Sequence, residues 1–491
     1  MNFSFPTKAF PLVFLLAGCA GTGIATRPTN PLKALRYDVD QILADSIFIP
    51  ARAAVKIVSL DRGDVLYDRD SKILMRPASN MKLLTSSSAL EILGVDYVFH
   101  TVVSADSLAP DGTVHGNLYL KGTGDPDLRT EDLDTLSRQL KAIGIRSILG
   151  NVVADASYFD DIPWGEGWMW DDEPFSFEAS ISALSVNKNC VTVHVIPGSQ
   201  PGDTVQASID PPTGYVTLLN TARTVADTAL EPLKITRLFR DRLNVILVQG
   251  ETVAKPDTVE ELVTVWRPEL YAATLFREIL RKDSIAVSGQ PTIGITPPST
   301  IELAVHRWGI DTMIVQLNKE SDNLSAENTL KAISVQRGGI PGSTRHGLYQ
   351  VNQVMASLGI DTASYYVVDG SGVSHYNLIT AEMLVKILEG MSLQSRLFPL
   401  FYRSLPIAGI DGTLKTRMKN TPAEGNLRAK TGSIGGVSSL SGYVTTRDGE
   451  RLAFSMLMQN FIQPSRFYRN AQDAIGVLLA NFSRSASTAS H

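Results

Sequence analysis

The sequence predicts an α+β protein in which one antiparallel sheet, flanked by helices, carries a large β-rich inserted domain. Three observations lead there. Strand patterns lie at both ends of the chain, at residues 54–60 and 65–67 and again at 436–446 and 451–458, with helical patterns between them, so the two termini are expected to meet in one sheet. Roughly 240 residues of largely strand-like texture separate Ser79 from Ser321, room for a further domain of ordinary size. The 491 residues of the chain also exceed what one ordinary core organises. The expected division is a signal and linker at residues 1–27, a main domain built from 28–96 and 262–483, an insert at 97–261 and a disordered tail at 484–491.

The elements follow in order. Lys8 precedes an apolar run at residues 10–16 that ends in Ala17-Gly18-Cys19. This is an export signal, too short to span a bilayer as a helix. Leu16-Ala17-Gly18-Cys19 resembles a bacterial lipobox, whose cysteine becomes the acylated first residue; a small-residue signal-peptidase site that happens to contain Cys is the alternative. Residues 26–35 read as a polar linker and 36–43 as a helix. After the strand pair at 54–67, Pro77 and Gly94 bracket a helix that starts near Ser79. The insert shows strand patterns at 97–103, 114–120, 148–155, 191–195, 215–220 and 242–251. Gly122-Thr123-Gly124-Asp125-Pro126 is a loop, and without a following Lys-Ser/Thr it is no phosphate loop. Trp164, Trp168 and Trp170 cluster, which fits either a packed loop or carbohydrate stacking. Helical patterns return at 269–282, 311–337 and 380–389; Asp448-Gly449 turns the terminal hairpin, and an amphipathic helix at 465–482 covers the sheet.

Composition removes several function classes. A formal net charge of −5 gives no basic footprint for nucleic acid. The seven histidines are scattered and no cysteine cluster exists, so neither a metal nor a cofactor is expected. Nucleotide-binding glycine patterns and a Gly-x-Ser-x-Gly elbow are missing as well. Cys190 is the sole thiol besides Cys19 and reads as a buried, inert one.

The chemistry centres on Ser79-Asn80-Met81-Lys82. Residues three apart share a helix face, so Ser79 and Lys82 point into one space, where a neutral lysine amine can take the serine's proton. Alone, Ser-x-x-Lys fits a capping serine and a solvated lysine better than a catalytic pair. Ser321-Asp322-Asn323 between two helical patterns, and Lys430-Thr431-Gly432-Ser433 after a strand-like stretch, complete an ordered triple that chance does not readily supply.

This triple, with Gly122 to Pro126, Asp369-Gly370-Ser371-Gly372, Gly409-Ile410-Asp411-Gly412-Thr413-Leu414 and the run from Val437 to Tyr443, resembles the D-alanyl-D-alanine carboxypeptidase/endopeptidase family of low-molecular-mass (class C) penicillin-binding proteins. It is similar to the branch with a large insert between the first two motifs, over residues 51–481. The resemblance implies a penicillin-binding transpeptidase-like domain acting on peptidoglycan stem peptides and acylated by β-lactams. The protein is expected in the periplasm, lipid-anchored to the outer membrane. The periplasmic location and the lipid anchor on Cys19 rest on the export signal and Leu16-Ala17-Gly18-Cys19, and the outer membrane on Ala20, which gives no inner-membrane retention signal. The resemblance implies Ser79 as nucleophile, Lys82 as general base, Ser321 as proton relay, Asn323 as the group positioning Lys82 and the substrate amide, and Lys430 as a source of positive potential. Thr431, Gly432 and Ser433 would form the carboxylate-binding strand edge, and the N–H groups of Ser79 and Ser433 the oxyanion hole. It also implies that Asp155, on an insert strand, recognises the side-chain end of the stem-peptide diamino acid together with the residue at 375, where Arg is common and this chain has His375. A slowly acylating binder and a serine esterase are the rival readings; such esterases typically carry Tyr in place of Ser321.

Overall fold

The computed structural model describes residues 27–228, 231–254 and 258–485. Cys19 and its surroundings lie outside them. The first strand, Arg52–Ser59, is buried on both faces. Its side chains alternate across the sheet: Ala53, Val55 and Ile57 enter one core, and Ala54 and Val58 enter another. Lys56 interrupts this apolar run and is offset by an ion pair with Asp68 at 2.6 Å. The strand lies between Val65–Arg69 and Arg451–Gln459, and the order continues through Val437–Thr445 to Arg428–Ile434. All four pairings are antiparallel. The two ends of the chain therefore close one five-stranded sheet, as the sequence predicts.

Helices cover both faces. Pro31–Leu43 and Arg466–Asn481 bury Leu35, Val39, Tyr468 and Ile475 against one side. The residues expected to be a linker start this first helix instead. Asn30 caps it by accepting from Lys33 N–H at 3.0 Å, and Pro31 supplies the fixed φ of a first helical residue. On the other face, Met81–Ile92 sits at the centre of a helical layer with Ile310–Lys319, Asn323–Gly338, Thr344–Ser357 and Ala381–Ser392. Fully burying one leucine-sized side chain contributes about 1.5–3 kcal/mol, so this layer anchors the motif helix firmly.

A second five-stranded sheet runs Pro291–Ile293, Val152–Asp155, Leu118–Gly122, Val98–Ala105, Ile301–Gly309. Its core takes in the helices Thr130–Ala142 and Pro268–Lys282. Residues 263–309, assigned by sequence to the main domain, thus pair and pack with the insert. Strand Ile301–Gly309 lies antiparallel to Val98–Ala105, which moves the return point from 262 to about 309 and gives the lobe substantial helix. The tail also differs from expectation at its start: Arg484 bonds Asp64 and Glu450 at 2.8–3.0 Å. Residues 486–491 lie outside the described range.

Candidate active site

The Ser-x-x-Lys turn forms where a short 3-10 turn, Ala78–Asn80, runs into the helix Met81–Ile92. Neither start carries a side-chain cap bond, so Ser79 is not employed as a cap. The turn is fixed to the neighbouring sheet at both ends. Asn80 Nδ2 donates to Lys430 O at 2.9 Å, and Ser439 Oγ to Pro77 O at 2.7 Å. Strand Arg428–Ile434 approaches so closely that a Cβ on Gly432 would collide with Ser439 Oγ and crowd Ser79 N. Glycine is the residue that permits this contact.

Lys82 is fully buried. Its Nζ lies 3.1 Å from Ser79 Oγ, 2.6 Å from Asn323 Oδ1 and 2.8 Å from Ser371 O. An ammonium has three N–H groups and would spend one on each acceptor; the neutral amine spends two, on Asn323 and Ser371, and turns its lone pair to the Ser79 hydroxyl. Burial favours that neutral form and lowers the Lys82 pKa to about 8, while Asp369, Asp322 and Glu327 pull it back upward. Lys430, also fully buried, donates to Ser321 Oγ at 2.8 Å and to Thr431 O at 3.0 Å. Burial, then the nearby Lys82, hold it well below the ordinary lysine value.

Ser321-Asp322-Asn323 breaks the helical pattern into Ile310–Lys319 and Asn323–Gly338. Ser321 has φ 60°, a left-handed conformation that costs a non-glycine residue about 1–2 kcal/mol. Asp322 caps the second helix through Oδ1, which accepts from Ser325 N–H at 2.6 Å. Asn323 gives its Nδ2 to Phe177 O at 2.7 Å, so a loop of the insert closes on the site. Trp168 fastens the same loop, donating Nε1 to Asp369 Oδ2 at 3.1 Å. Trp164 stacks on Trp266 and packs the loop, while Trp170 leans on Phe239 and stays exposed.

Thr431 Oγ1 donates to Thr413 Oγ1 at 2.7 Å, and Ser433 is exposed beside it on the strand edge. The Thr413 loop is tied back by an ion pair between Asp411 and Lys319, the end of the helix before Ser321. Ser79, Lys82, Ser321, Asn323, Lys430, Thr431, Gly432 and Ser433 therefore converge on one cleft. Cys190 is free and buried, and burial raises its pKa to about 12.

Asp155 and His375 are not brought together. Asp155 is buried at the end of its strand, where its oxygens accept backbone N–H bonds from Ser157 at 2.9 Å and Thr296 at 2.7 Å. Burial opposes its charge, but these bonds outweigh burial and lower its pKa. Fully buried, and with Lys121 Nζ 3.7 Å from its Oδ2, Asp155 holds the strand end. His375 instead meets Arg76, with Nη1 3.1 Å from its Nδ1, and the carboxylate acting on it is Asp172. Burial, then Arg76, lower the His375 pKa.

Sequence reasoning missed Glu327, Asp369, Arg76 and Asp172. Glu327 Oε1 accepts from Gly370 N–H and Ser371 N–H at 2.9 and 2.8 Å, which orients the Ser371 carbonyl toward Lys82. Its position four residues beyond Asn323, on the same helix face, was a usable signal. Asp369 ties its own loop, accepting from Gly372 N–H at 2.9 Å and Ser374 N–H at 2.7 Å.

Residues 35–482 match the D-Ala-D-Ala carboxypeptidase 3 (S13) family. The chain is 36% identical over 487 residues to the D-alanyl-D-alanine carboxypeptidase of Actinomadura sp. (strain R39), covering 96% of this chain and 89% of that one. Its fold matches penicillin binding protein 4 (dacB) from Haemophilus influenzae with a TM-score of 0.79 at 26% identity, covering 90% of this chain and 97% of that one. The same H. influenzae protein complexed with a novel β-lactam matches with a TM-score of 0.76 at 24% identity, over 91% and 99% of the two chains.

The lowered Lys82 value sets a pH dependence. With Lys82 taken as the general base, only its neutral amine is competent, so acylation of the free protein should rise with pH and level off above about 8. Lys82→Arg should acylate at a negligible rate at every pH, since guanidinium does not deprotonate. Stopped-flow rates with a chromogenic β-lactam measure both; a flat wild-type profile between about pH 6 and 9 contradicts the assignment.

Proposed function

The chain belongs to the D-Ala-D-Ala carboxypeptidase 3 (S13) family, and from that premise we propose that Ser79 is the residue its substrate acylates. The protein is a serine-type D-Ala-D-Ala carboxypeptidase, a hydrolase acting on peptidoglycan stem peptides and acylated by β-lactams. The observation that carries the assignment of Ser79 is the placement of Lys82 Nζ between Ser79 Oγ, Asn323 Oδ1 and Ser371 O. Lys82 takes the Ser79 proton as Oγ attacks the penultimate D-Ala carbonyl. The Ser79 and Ser433 N–H groups receive the developing oxyanion. Ser321, bonded to Lys430, relays a proton to the departing amine, and water then hydrolyses the ester with Lys82 as base. Lys430, Thr431 and Ser433 hold the terminal carboxylate, whose arrival favours a charged Lys430. Gly432 keeps the strand against the nucleophile turn.

Incubation with a penicillin should leave one adduct, on the Ser79-containing peptide. Ser79→Ala should show no adduct and lose D-Ala release by roughly a thousandfold or more. Mass spectrometry and a D-Ala assay read these, and an adduct persisting in Ser79→Ala contradicts the assignment.

For the substrate side chain, Arg76 provides the cation that position 375 lacks. Its guanidinium rests on His375 and Asn460 at 3.1 and 3.2 Å, and a guanidinium can grip a carboxylate with two parallel bonds. His375 acts as its support, and Asp155 takes no part. Arg76→Ala should lower kcat/KM several-fold for peptides whose diamino acid ends in a free carboxylate, and leave peptides without that carboxylate unchanged. Equal losses on both peptides contradict this.

The short signal ending in Leu16-Ala17-Gly18-Cys19 supports lipidation of Cys19, with the catalytic body in the periplasm and the anchor in the outer membrane. No helix among the described residues is long and apolar enough to cross a membrane, so a lipid on Cys19 is the attachment this reading requires. Cys19→Ser should move the protein from the membrane to the soluble fraction on cell fractionation. A wild-type protein already soluble contradicts the anchor.

A further inference from the structure

The middle residue of Ser321-Asp322-Asn323 turns away from the two catalytic lysines. Asp322 is half-buried, and its Oδ2 meets Lys188 Nζ, on the insert, at 2.9 Å. The same Nζ lies 2.6 Å from Asp127 Oδ1. Lys188 is built into this position. Asn187, Lys188 and Asn189 are all left-handed, with φ of 50°, 58° and 57°. Asn tolerates that conformation; Lys does so only when its surroundings impose it. The flanking asparagines do the imposing. Asn187 accepts from Thr130 N–H at 3.0 Å and donates to Thr130 Oγ1 at 2.8 Å. Asn189 accepts from Val186 N–H at 3.2 Å and donates to Ser180 O at 2.8 Å.

We propose that Lys188 is a positioning residue for acyl transfer: by holding Asp322 it fixes the strained turn that presents Ser321 to Lys430 and Asn323 to Lys82. The proposal rests on the carboxypeptidase reading above and adds to it a residue of the insert, outside the three motifs. Asp322 has one oxygen on the helix cap and one on Lys188. Without Lys188, the half-buried Asp322 carboxylate loses its counter-charge and, still ionised, draws its turn toward water. That change disturbs a turn whose two other side chains touch the catalytic amines at 2.6 and 2.8 Å.

The electrostatics agree with the geometry. The charged groups facing Lys82 are Asp369, Asp322, Glu327 and Lys430; those facing Lys188 are Asp322, Asp127 and, more weakly, the Cys190 thiol. Burial opposes a charge on Asp322, but Lys188 and the cap bond outweigh it and keep Asp322 ionised. Asp127, at 2.6 Å from the same ammonium, goes the other way, raised by burial despite Lys188, so Lys188 bridges the two carboxylates. Asp322 raises the Lys82 pKa, and the ammonium of Lys188 sits on that same carboxylate.

The test is the second-order acylation rate with a chromogenic β-lactam, followed against pH in the full-length protein. Lys188→Met should acylate roughly tenfold more slowly at neutral pH. Its acid limb should stand at higher pH, because Asp322 acts on Lys82 without compensation. Lys188→Arg should restore the wild-type limb position. Asp322→Asn should move the limb to lower pH by removing the charge. A Lys188→Met limb coincident with wild type, at any rate, or a wild-type rate, overturns the proposal. Should Lys188→Met fail to fold, as judged by circular dichroism, Asp322→Asn decides: an unmoved limb overturns the proposal equally. Wild-type acylation in the same assay separates these outcomes from a failure of the carboxypeptidase reading.

Discussion

Two lysine side chains, Lys82 and Lys430, are sunk out of water beside one another, and the rest of the site answers to that. Burying one charged amine without a partner is expensive, and two repel. Neither amine bonds a carboxylate directly. Lys82 meets an amide oxygen, a backbone carbonyl and a hydroxyl; Lys430 meets a hydroxyl and a carbonyl. These acceptors suit a neutral amine as well as a charged one. The carboxylates Asp369, Asp322 and Glu327 stay one layer out, each accepting from backbone N–H groups. Their charge reaches Lys82 only across a distance, enough to temper the effect of burial without forming an ion pair that would fix the proton.

That outer layer also explains how two lobes make one site. The main sheet carries the nucleophile turn and the Lys-Thr-Gly strand, riveted through Asn80 and Ser439. The insert contributes backbone and charge: Phe177 O on Asn323, Trp168 on Asp369 and Lys188 on Asp322. Each contact falls on a residue that touches Lys82 or lies in a loop that does. Motion between the lobes would therefore be felt at Asn323 and Ser371, the acceptors of Lys82, since Ser79 and Lys82 both sit on the turn and helix of the main domain.

Much of this was legible. The alternation of Ala53, Ala54, Val55 and Ile57, and the Asp448-Gly449 turn, have local causes, and the motif triple names its side chains by type and order. The boundary at 262 was not legible. The helix Pro268–Lys282 and the strand Ile301–Gly309 are amphipathic in a way that declares a buried face without declaring the partner sheet. The helix Thr130–Ala142, with Leu133, Leu136 and Leu140 at helical spacing, carried its signal openly but lay in a stretch otherwise read as strands. Lys188 had no signal, because its role is to reach a residue 134 positions away.

Asp155 shows where carrying a role over by position fails. An acidic residue ending an insert strand satisfies a pattern, yet a carboxylate can recognise a ligand only where the ligand can reach it. Asp155 is fully buried beneath the N–H groups of Ser157 and Thr296, and the Thr296 bond comes from a loop 141 residues later, invisible in local sequence. At position 375 the same reasoning runs in the opposite direction. Replacing a bidentate cation with His removes donors, but the cleft does not lose its cation: Arg76, three residues before the nucleophile, places its guanidinium against His375. The ring, kept neutral by burial and by Arg76 itself, can accept through Nδ1 without competing for charge. A ligand-binding charge is thus better traced through the space it occupies than through the column it is expected to fill.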